Sequence, residues 1–218
     1  MVATLARHLP FPAIPADPLR LILWENIGYL IDDPRRRELF DAFEAAVGFD
    51  PEAIAAADDA TLLPLARRGG MRPETRVQRW RDIARLVAER CDGDLDRTLR
   101  QAPLPKARTL LKAFPTIGDP GADKILLFAD IAVRPSLESN GLRALARLGF
   151  FEEQASYDRS YKAAIAVLSS AGPTDRAWLV SAYFGLRELG KVVCRRSEPL
   201  CHACPLDGVC AHVSVVEL

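Results

Sequence analysis

Cys194-Arg-Arg-Ser-Glu-Pro-Leu-Cys201-His-Ala-Cys204-Pro-Leu-Asp-Gly-Val-Cys210 is the stretch on which the reading of this chain turns. Four of the five cysteines fall within these 17 residues, separated by six, two and five residues, and Cys91 stands apart. In a reducing compartment such clustering points to metal ligation instead of disulfides. Thiolates are soft ligands, and four of them suit either tetrahedral zinc or an iron–sulfur cubane. Structural zinc more often uses two C-x2-C knuckles brought together from a distance. Here one such pair is flanked by two single cysteines, and short, uneven spacings let one loop wrap a cubane about its corners. A [4Fe–4S] cluster on Cys194, Cys201, Cys204 and Cys210 is the expectation, with zinc and paired disulfides as the alternatives.

The residues before this loop read as helix. Sustained alternation of apolar and polar residues is absent, and Leu, Ala, Arg and Glu dominate, which favours helix. Asp17-Pro18 predicts a capped apolar helix over Leu19–Ile31. Asp33-Pro34 opens the next, which Gly48 closes, and Asp50-Pro51 and Asp59 start two short ones. Pro73 begins the clearest amphipathic stretch, with Val77, Trp80, Ile83, Ala84 and Val87 on one stripe and arginines off it. Short helices follow at Asp94–Gln101, Pro105–Phe114 and Ala122–Asp130, then longer ones near Glu138–Leu148, Glu153–Ser170 and Thr174–Val193. The three tryptophans on these helices (Trp24, Trp80 and Trp178) are assigned to packing. Roughly ten helices joined by short turns make an all-α fold.

Composition sets limits. About half of the 218 residues are apolar, and 29 Lys and Arg balance 29 Asp and Glu. That neutrality argues against a general nucleic-acid binder. Seven arginines (Arg67, Arg68, Arg72, Arg76, Arg79, Arg81 and Arg85) nevertheless crowd one stretch, either as a solvated helix face or as a shared phosphate-binding face. No apolar run reaches the ~18 residues that span a bilayer. Met1 to Pro18, with prolines at 10, 12, 15 and 18, reads as neither a signal peptide nor an anchor. A cytoplasmic monomer without a membrane partner is expected.

The cysteine spacing resembles the iron–sulfur loop of the endonuclease III and adenine DNA glycosylase superfamily. Arg196-Ser197, Pro199 and Cys204-Pro205-Leu206 recur in the adenine glycosylase version. In that family the cluster is not catalytic; it shapes a loop whose basic residues meet DNA phosphates. The resemblance thus makes Arg195 and Arg196 phosphate contacts, against the plain alternative that they are only solvated. The second hallmark is a helix-hairpin-helix with the pattern Leu-Pro-Gly-Val-Gly, whose backbone N–H groups bind a phosphate. Phe114-Pro115-Thr116-Ile117-Gly118 is its equivalent, about 75 residues before the loop. Thr116, Gly118, Gly121 and Lys124 are the DNA-binding candidates there. Thr116 replaces the first glycine and Pro120 removes an amide donor, so phosphate binding is expected to be weaker or differently aimed. In lyase-active members a lysine two residues after the second glycine forms a Schiff base. That position is Pro120, whose nitrogen cannot attack. Lys124, one turn later on the same face, is the alternative nucleophile, though the reading assigns it to the surface or to a phosphate.

Two carboxylates follow from the same resemblance. Glu138, in Leu137-Glu138-Ser139-Asn140-Gly141-Leu142-Arg143, falls at the family's sugar-facing aspartate, and Asn140 matches the asparagine of the Asp-Gly-Asn pattern. A carboxylate there stabilises the oxocarbenium-like transition state or activates water; the alternative is a plain helix-start acid. Glu25 lies seven residues after Pro18, like the glutamate that protonates the departing adenine. Its apolar neighbours Leu23, Trp24 and Ile27 suit a general acid. Where the family has a polar wedge, Tyr29, Leu30 and Ile31 stand ready to fill the gap left by a flipped base.

The resemblance implies two helical lobes: a six-helix barrel with the hairpin over 17–134, and a cluster lobe from 1–16 plus 135–218, with double-stranded DNA bound across the cleft. It implies a monofunctional base-excision-repair DNA glycosylase, a hydrolase that flips a damaged or mispaired base and cuts its N-glycosidic bond with water. The alternative is a degenerate helix-hairpin-helix protein that binds distorted DNA without chemistry.

Overall fold

The computed structural model describes residues 1–8, 15–170 and 175–212. Prolines 10 and 12, and the expected helix start at Thr174, lie outside the described residues. Among those described, every regular element is helical, with twelve α-helices and no strand. None of these helices is long and apolar enough to cross a membrane. The chain divides into two compact units, one of Pro15–Ile125 and one of Met1–Ile14 with Leu126–Leu218. Helix α1 (Val2–His8) opens the second of these.

In the Pro15–Ile125 unit, aspartates start most helices. Asp17 caps α2 (Pro18–Asn26), Asp32 caps α3 (Asp33–Ala46), Asp50 caps α4 (Pro51–Ala56) and Asp58 caps α5 (Asp59–Arg68). Each carboxylate accepts a backbone N–H that the first turn leaves unpaired, stabilising by about 1 kcal/mol. Two starts differ from the sequence reading by one residue, because Asp32-Asp33 and Asp58-Asp59 each offer two caps and the first one serves. Helix α6 (Pro73–Cys91) follows, then α7 (Leu95–Gln101), capped by Asp94, and α8 (Leu104–Leu111).

The expected stripe of α6 is buried throughout, and Trp80 is fully enclosed, edge-on to Phe43 at 4.8 Å between ring centroids. Arg76 corrects the expectation that arginines stay off that stripe, being buried as well. Its guanidinium donates to the carbonyls of Ala66 (2.6 Å) and Met71 (3.0 Å), where α5 ends. Arg68, Arg81 and Arg85 behave as a solvated face, paired with Glu38, Asp59 and Glu89 at 2.7, 2.7 and 3.5 Å.

Asn26, at the end of α2, ties this unit together. Its amide donates to the carbonyls of Ile22 (2.9 Å) and Pro115 (3.0 Å). Its side-chain oxygen accepts from the Thr116 hydroxyl (3.1 Å), and its main-chain carbonyl accepts from the Trp80 indole (3.2 Å). One buried asparagine thus joins α2, the hairpin turn and α6, its side chain reaching the turn and its main-chain carbonyl reaching α6.

The second unit packs α10 (Ser139–Arg147), α11 (Tyr157–Ser170) and α12 (Arg176–Glu188) around Leu142, Leu145, Ala164 and Leu186. Helix α1 was not foreseen from sequence. Its Leu5 is wholly buried against α12, where a Cβ on Gly185 would stand 2.8 Å from the Leu5 Cβ. After α12 the chain widens into one π-helical turn, Leu189–Val193, and delivers Cys194. Gly190 in this turn lies so close to α10 that an added Cβ would collide with the Asn140 carbonyl oxygen.

Two substitutions test these contacts. Asn26→Leu keeps the volume but strands the Pro115 carbonyl and removes the acceptor of the Thr116 hydroxyl, while the Trp80 bond to the main-chain carbonyl stays, and should cost about 2–3 kcal/mol, read as a lower urea midpoint. Gly190→Ala should cost about 1–3 kcal/mol by overpacking, whereas Gly208→Ala, which has open space around it, should leave the midpoint unchanged.

Candidate functional site

A cavity of about 510 Å³ opens in the Pro15–Ile125 unit, walled by Glu25, Tyr29, Arg72, Arg76, Arg79 and Thr116 among others. Helix α2 brings Glu25 to it because Leu21, Ile22 and Leu23 are held in the core, which fixes the helix's rotation. Helix α9 (Asp119–Phe128) supplies the partner. Lys124 is buried, and its ammonium donates to one Glu25 carboxylate oxygen. The sequence reading set Lys124 at the surface or on a phosphate; the structure places it inside, on Glu25. The apolar setting expected around Glu25 therefore contains a cation.

The hairpin runs from α8 through Phe114–Gly118 into α9. Thr116 adopts a left-handed backbone (φ 64), the conformation that glycine adopts most easily. The hydrogen bond to Asn26 helps to hold a β-branched residue there. Gly118 faces open space, since a Cβ on it would meet nothing nearer than the Pro120 Cδ at 3.8 Å. Gly121 is different, for a Cβ there would press on Ile117 at 3.3 Å, so its smallness serves packing. Across the hairpin, Arg108 donates to both oxygens of the fully buried Asp123, at 2.7 and 3.3 Å.

In the other unit, Glu138 is the N-cap of α10. One carboxylate oxygen accepts from the Gly141 N–H (2.6 Å) and the other from the Asn140 amide (2.9 Å). Asn140 in turn accepts from Arg143 (3.0 Å), which also donates to the carbonyls of Gly190 (2.6 Å) and Cys194 (3.2 Å). A continuous polar chain thus runs from Glu138 to the first cysteine of the loop. Burial, and then the neighbouring Arg147, push the Arg143 guanidinium below its usual range. Tyr157, about half exposed, has its phenol pushed up by burial and next by the Glu138 charge. Sequence reasoning missed Arg143, Arg147 and Tyr157. The i, i+4 spacing of the two arginines on one face of α10 was the available signal.

The cysteine loop is part-buried. Cys194, Cys204 and Cys210 pack against the hydrophobic core of their unit, and all four thiols are free. Cys201 and Cys204 bound one 3-10 turn, and Asp207–Val209 forms another ahead of Cys210. Burial pushes the Cys204 thiol up, and Cys210 and Cys194 push in the same direction, so these sulfurs lie within electrostatic reach of one another. Arg147 clasps both ends of the loop. It donates to the carbonyls of Arg195 (2.6 Å) and Arg196 (3.0 Å) and approaches the Cys194 sulfur (3.6 Å), while its own carbonyl accepts from the His212 N–H (3.1 Å). Arg195 and Arg196 are exposed, with the Arg195 guanidinium on the Val192 carbonyl at 3.0 Å. Among the described residues, no three His, Cys, Asp or Glu side chains converge as they would on a single ion.

No protein-family model matches the chain. By sequence it is 24% identical over 163 residues to a thymine-DNA glycosylase of Aeropyrum pernix, covering 75% of this chain and 69% of that one. It is 28% identical over 108 residues to a thymine/uracil-DNA glycosylase of Pyrobaculum aerophilum, covering 49% of this chain and 47% of the relative. It is also 27% identical over 176 residues to the DNA glycosylase/AP lyase ROS1 of Arabidopsis thaliana, of whose length it spans 12%. Among solved structures, a trapped endonuclease III–DNA covalent intermediate superposes with a TM-score of 0.76 at 16% identity, covering 100% of this chain and 95% of the other. A thermostable thymine-DNA glycosylase superposes with a TM-score of 0.77 at 15% identity, covering 98% and 95%. The chain therefore has the endonuclease III fold and is similar in sequence to DNA glycosylases.

Proposed function

We propose that this chain is a DNA glycosylase that extrudes one damaged or mispaired nucleotide from double-stranded DNA and hydrolyses its N-glycosidic bond with water. The observation that carries the reading is a nucleotide-sized cavity with a carboxylate in its wall. A small-ligand site of this kind typically measures about 300–1,000 Å³. The sequence likeness to glycosylases supports it.

Glu25 is assigned to the departing base. Breaking the C–N bond leaves negative charge on the base, and a proton must reach it. The proton comes from the Lys124 ammonium, which donates to the ionised Glu25 carboxylate: it passes through Glu25 to the base and leaves Lys124 neutral until the attacking water restores it. Glu138 is assigned to the sugar, where a carboxylate held by Gly141 and Asn140 opposes the cation developing at the anomeric carbon. The attacking water then returns its proton, so hydrolysis closes without net loss. Pro120 has no amine to form a Schiff base, and Lys124 is committed to Glu25, so the product is an intact abasic strand. The four free thiols on one loop fit an iron–sulfur cluster by donor chemistry. Cys194, Cys201, Cys204 and Cys210 would hold it. Bound, such a group fixes the loop that carries Arg195 and Arg196 and takes no part in hydrolysis. A second reading has an observation of its own: Glu25 and Glu138 both have structural partners, as expected of a binder of distorted DNA that performs no chemistry.

A panel of duplexes with single lesions and mismatches separates the two. Abasic sites should form on at least one duplex and fall by about 100-fold or more in Glu138→Gln. Glu25→Gln paired with Lys124→Met, which leaves no buried cation alone, should also be slow. Tight binding with no abasic product on any duplex selects the binder. Borohydride treatment during turnover should trap no covalent adduct; a trapped adduct lost in Lys124→Met would make that lysine a nucleophile. Freshly purified protein should be brown, with about four irons and four sulfides per chain, and Cys201→Ser should lower both.

A further inference from the structure

We propose that Arg72 and Arg79 grip an anionic oxygen group of the extruded nucleotide in the Glu25 cavity, either a phosphate flanking that nucleotide or a carboxylate carried on its base. The inference rests on the nucleotide-binding reading above and names what that cavity selects.

Charge is the first argument. Three guanidiniums and one carboxylate wall the cavity, and the carboxylate already shares a buried lysine. The arginines differ in their commitments. Arg76 is anchored on main-chain carbonyls. Farther along the same helix, Arg81 and Arg85 have acidic partners. The side chains of Arg72 and Arg79 make no hydrogen bond or ion pair among the described residues. Burial pushes the Arg76 guanidinium below its usual range, and the nearby Arg79 and Arg36 push in the same direction, so Arg79 stands close enough to Arg76 for the two cations to repel. An oxyanion on the cavity side of Arg79 offsets that repulsion and matches the planar donor fork of a guanidinium.

Backbone strain is the second argument. Six non-glycine residues among those described have positive φ. Two of them, Arg72 (φ 58) and Thr116 (φ 64), line this cavity, and a third, Leu30 (φ 56), follows the lining residue Tyr29. Left-handed backbone at side-chain-bearing residues is unfavourable and gathers where a ligand is clamped. Arg72 holds this conformation as the N-cap of α6 without a side-chain cap bond. Local helix chemistry thus gives no reason for an arginine there, where Ser, Thr, Asp or Asn would cap better.

The test uses the full chain and equilibrium binding by fluorescence anisotropy, so it does not depend on excision. In one arm, duplexes carry 5-carboxylcytosine or the neutral 5-formylcytosine at one position. In the other, a uracil duplex carries a phosphodiester or a neutral methylphosphonate on either side of the uracil. Neutralising the group in one arm should weaken the wild type about tenfold and Arg72→Gln/Arg79→Gln by no more than about twofold, the pattern of a direct pairing. Arg72→Lys/Arg79→Lys, which keeps the charge, should recover most of the difference. A response confined to the first arm assigns the carboxylate, and one confined to the second assigns the phosphate. Equal losses in wild type and the glutamine variant in both arms, with circular dichroism showing both folded, overturn the inference. If the binding pattern holds while no duplex yields abasic sites, the glycosylase reading fails and this one stands.

Discussion

The Asn26 carboxamide is the constraint on which the Pro15–Ile125 unit depends. Its amide and its oxygen make three hydrogen bonds, to Ile22, Pro115 and Thr116, and the main-chain carbonyl of the same residue accepts a fourth from Trp80. A buried polar group that leaves no bond unmade costs little, and one that loses a partner costs the full desolvation of what remains. The arrangement is therefore close to all-or-none. It fixes the end of α2, so the neighbouring Glu25 has one place to be. It also holds the turn at Thr116 against the preference of a β-branched side chain for φ below zero. Trp80 is drawn into the same network from α6, whose first turns carry Arg72, Arg76 and Arg79.

The other unit follows a similar logic with ionic groups. Glu138 caps α10 and is steadied by Asn140, and Arg143 joins Asn140 to the backbone within and just after the π-helical turn, at Gly190 and Cys194. Gly190 allows this turn to lie against Asn140 at a distance closed to any side chain. Arg147 continues the pattern one helical turn later, fastening the carbonyls that follow Cys194. The carboxylate and the cysteine loop accordingly share one rigid support, and a change of shape in either is felt through Arg143.

Helix content was legible in the sequence because aspartate–proline pairs and aspartate caps mark where helices start. Asp17, Asp50 and Asp94 act where the sequence puts them. Doubled aspartates blurred two starts by a residue. Helix α1 carries no such mark, and its formation rests on Leu5 meeting Gly185, a contact between residues far apart in sequence. Arg76 escaped for the same kind of reason: an arginine enters a core only where carbonyls await it, and those belong to the end of α5 and the residues after it. Lys124 and Glu25 lie 99 residues apart, and no local pattern announces that they pair. The cysteine spacing was plain, whereas the clasp around it came from α10.

Balanced charge has a consequence for how this molecule would meet a polyanion. Three of the seven arginines of the basic stretch are neutralised by carboxylates of the chain, with Glu38, Asp59 and Glu89 on Arg68, Arg81 and Arg85. A nucleic acid approaching that face would displace few condensed counterions, because the protein brings little free positive charge to replace them. Affinity would then fall only gently as ionic strength rises, in contrast to the steep slopes of strongly basic binders. Such a molecule gains little from generic attraction along a strand, and its residence would be decided by the few cations left without internal partners.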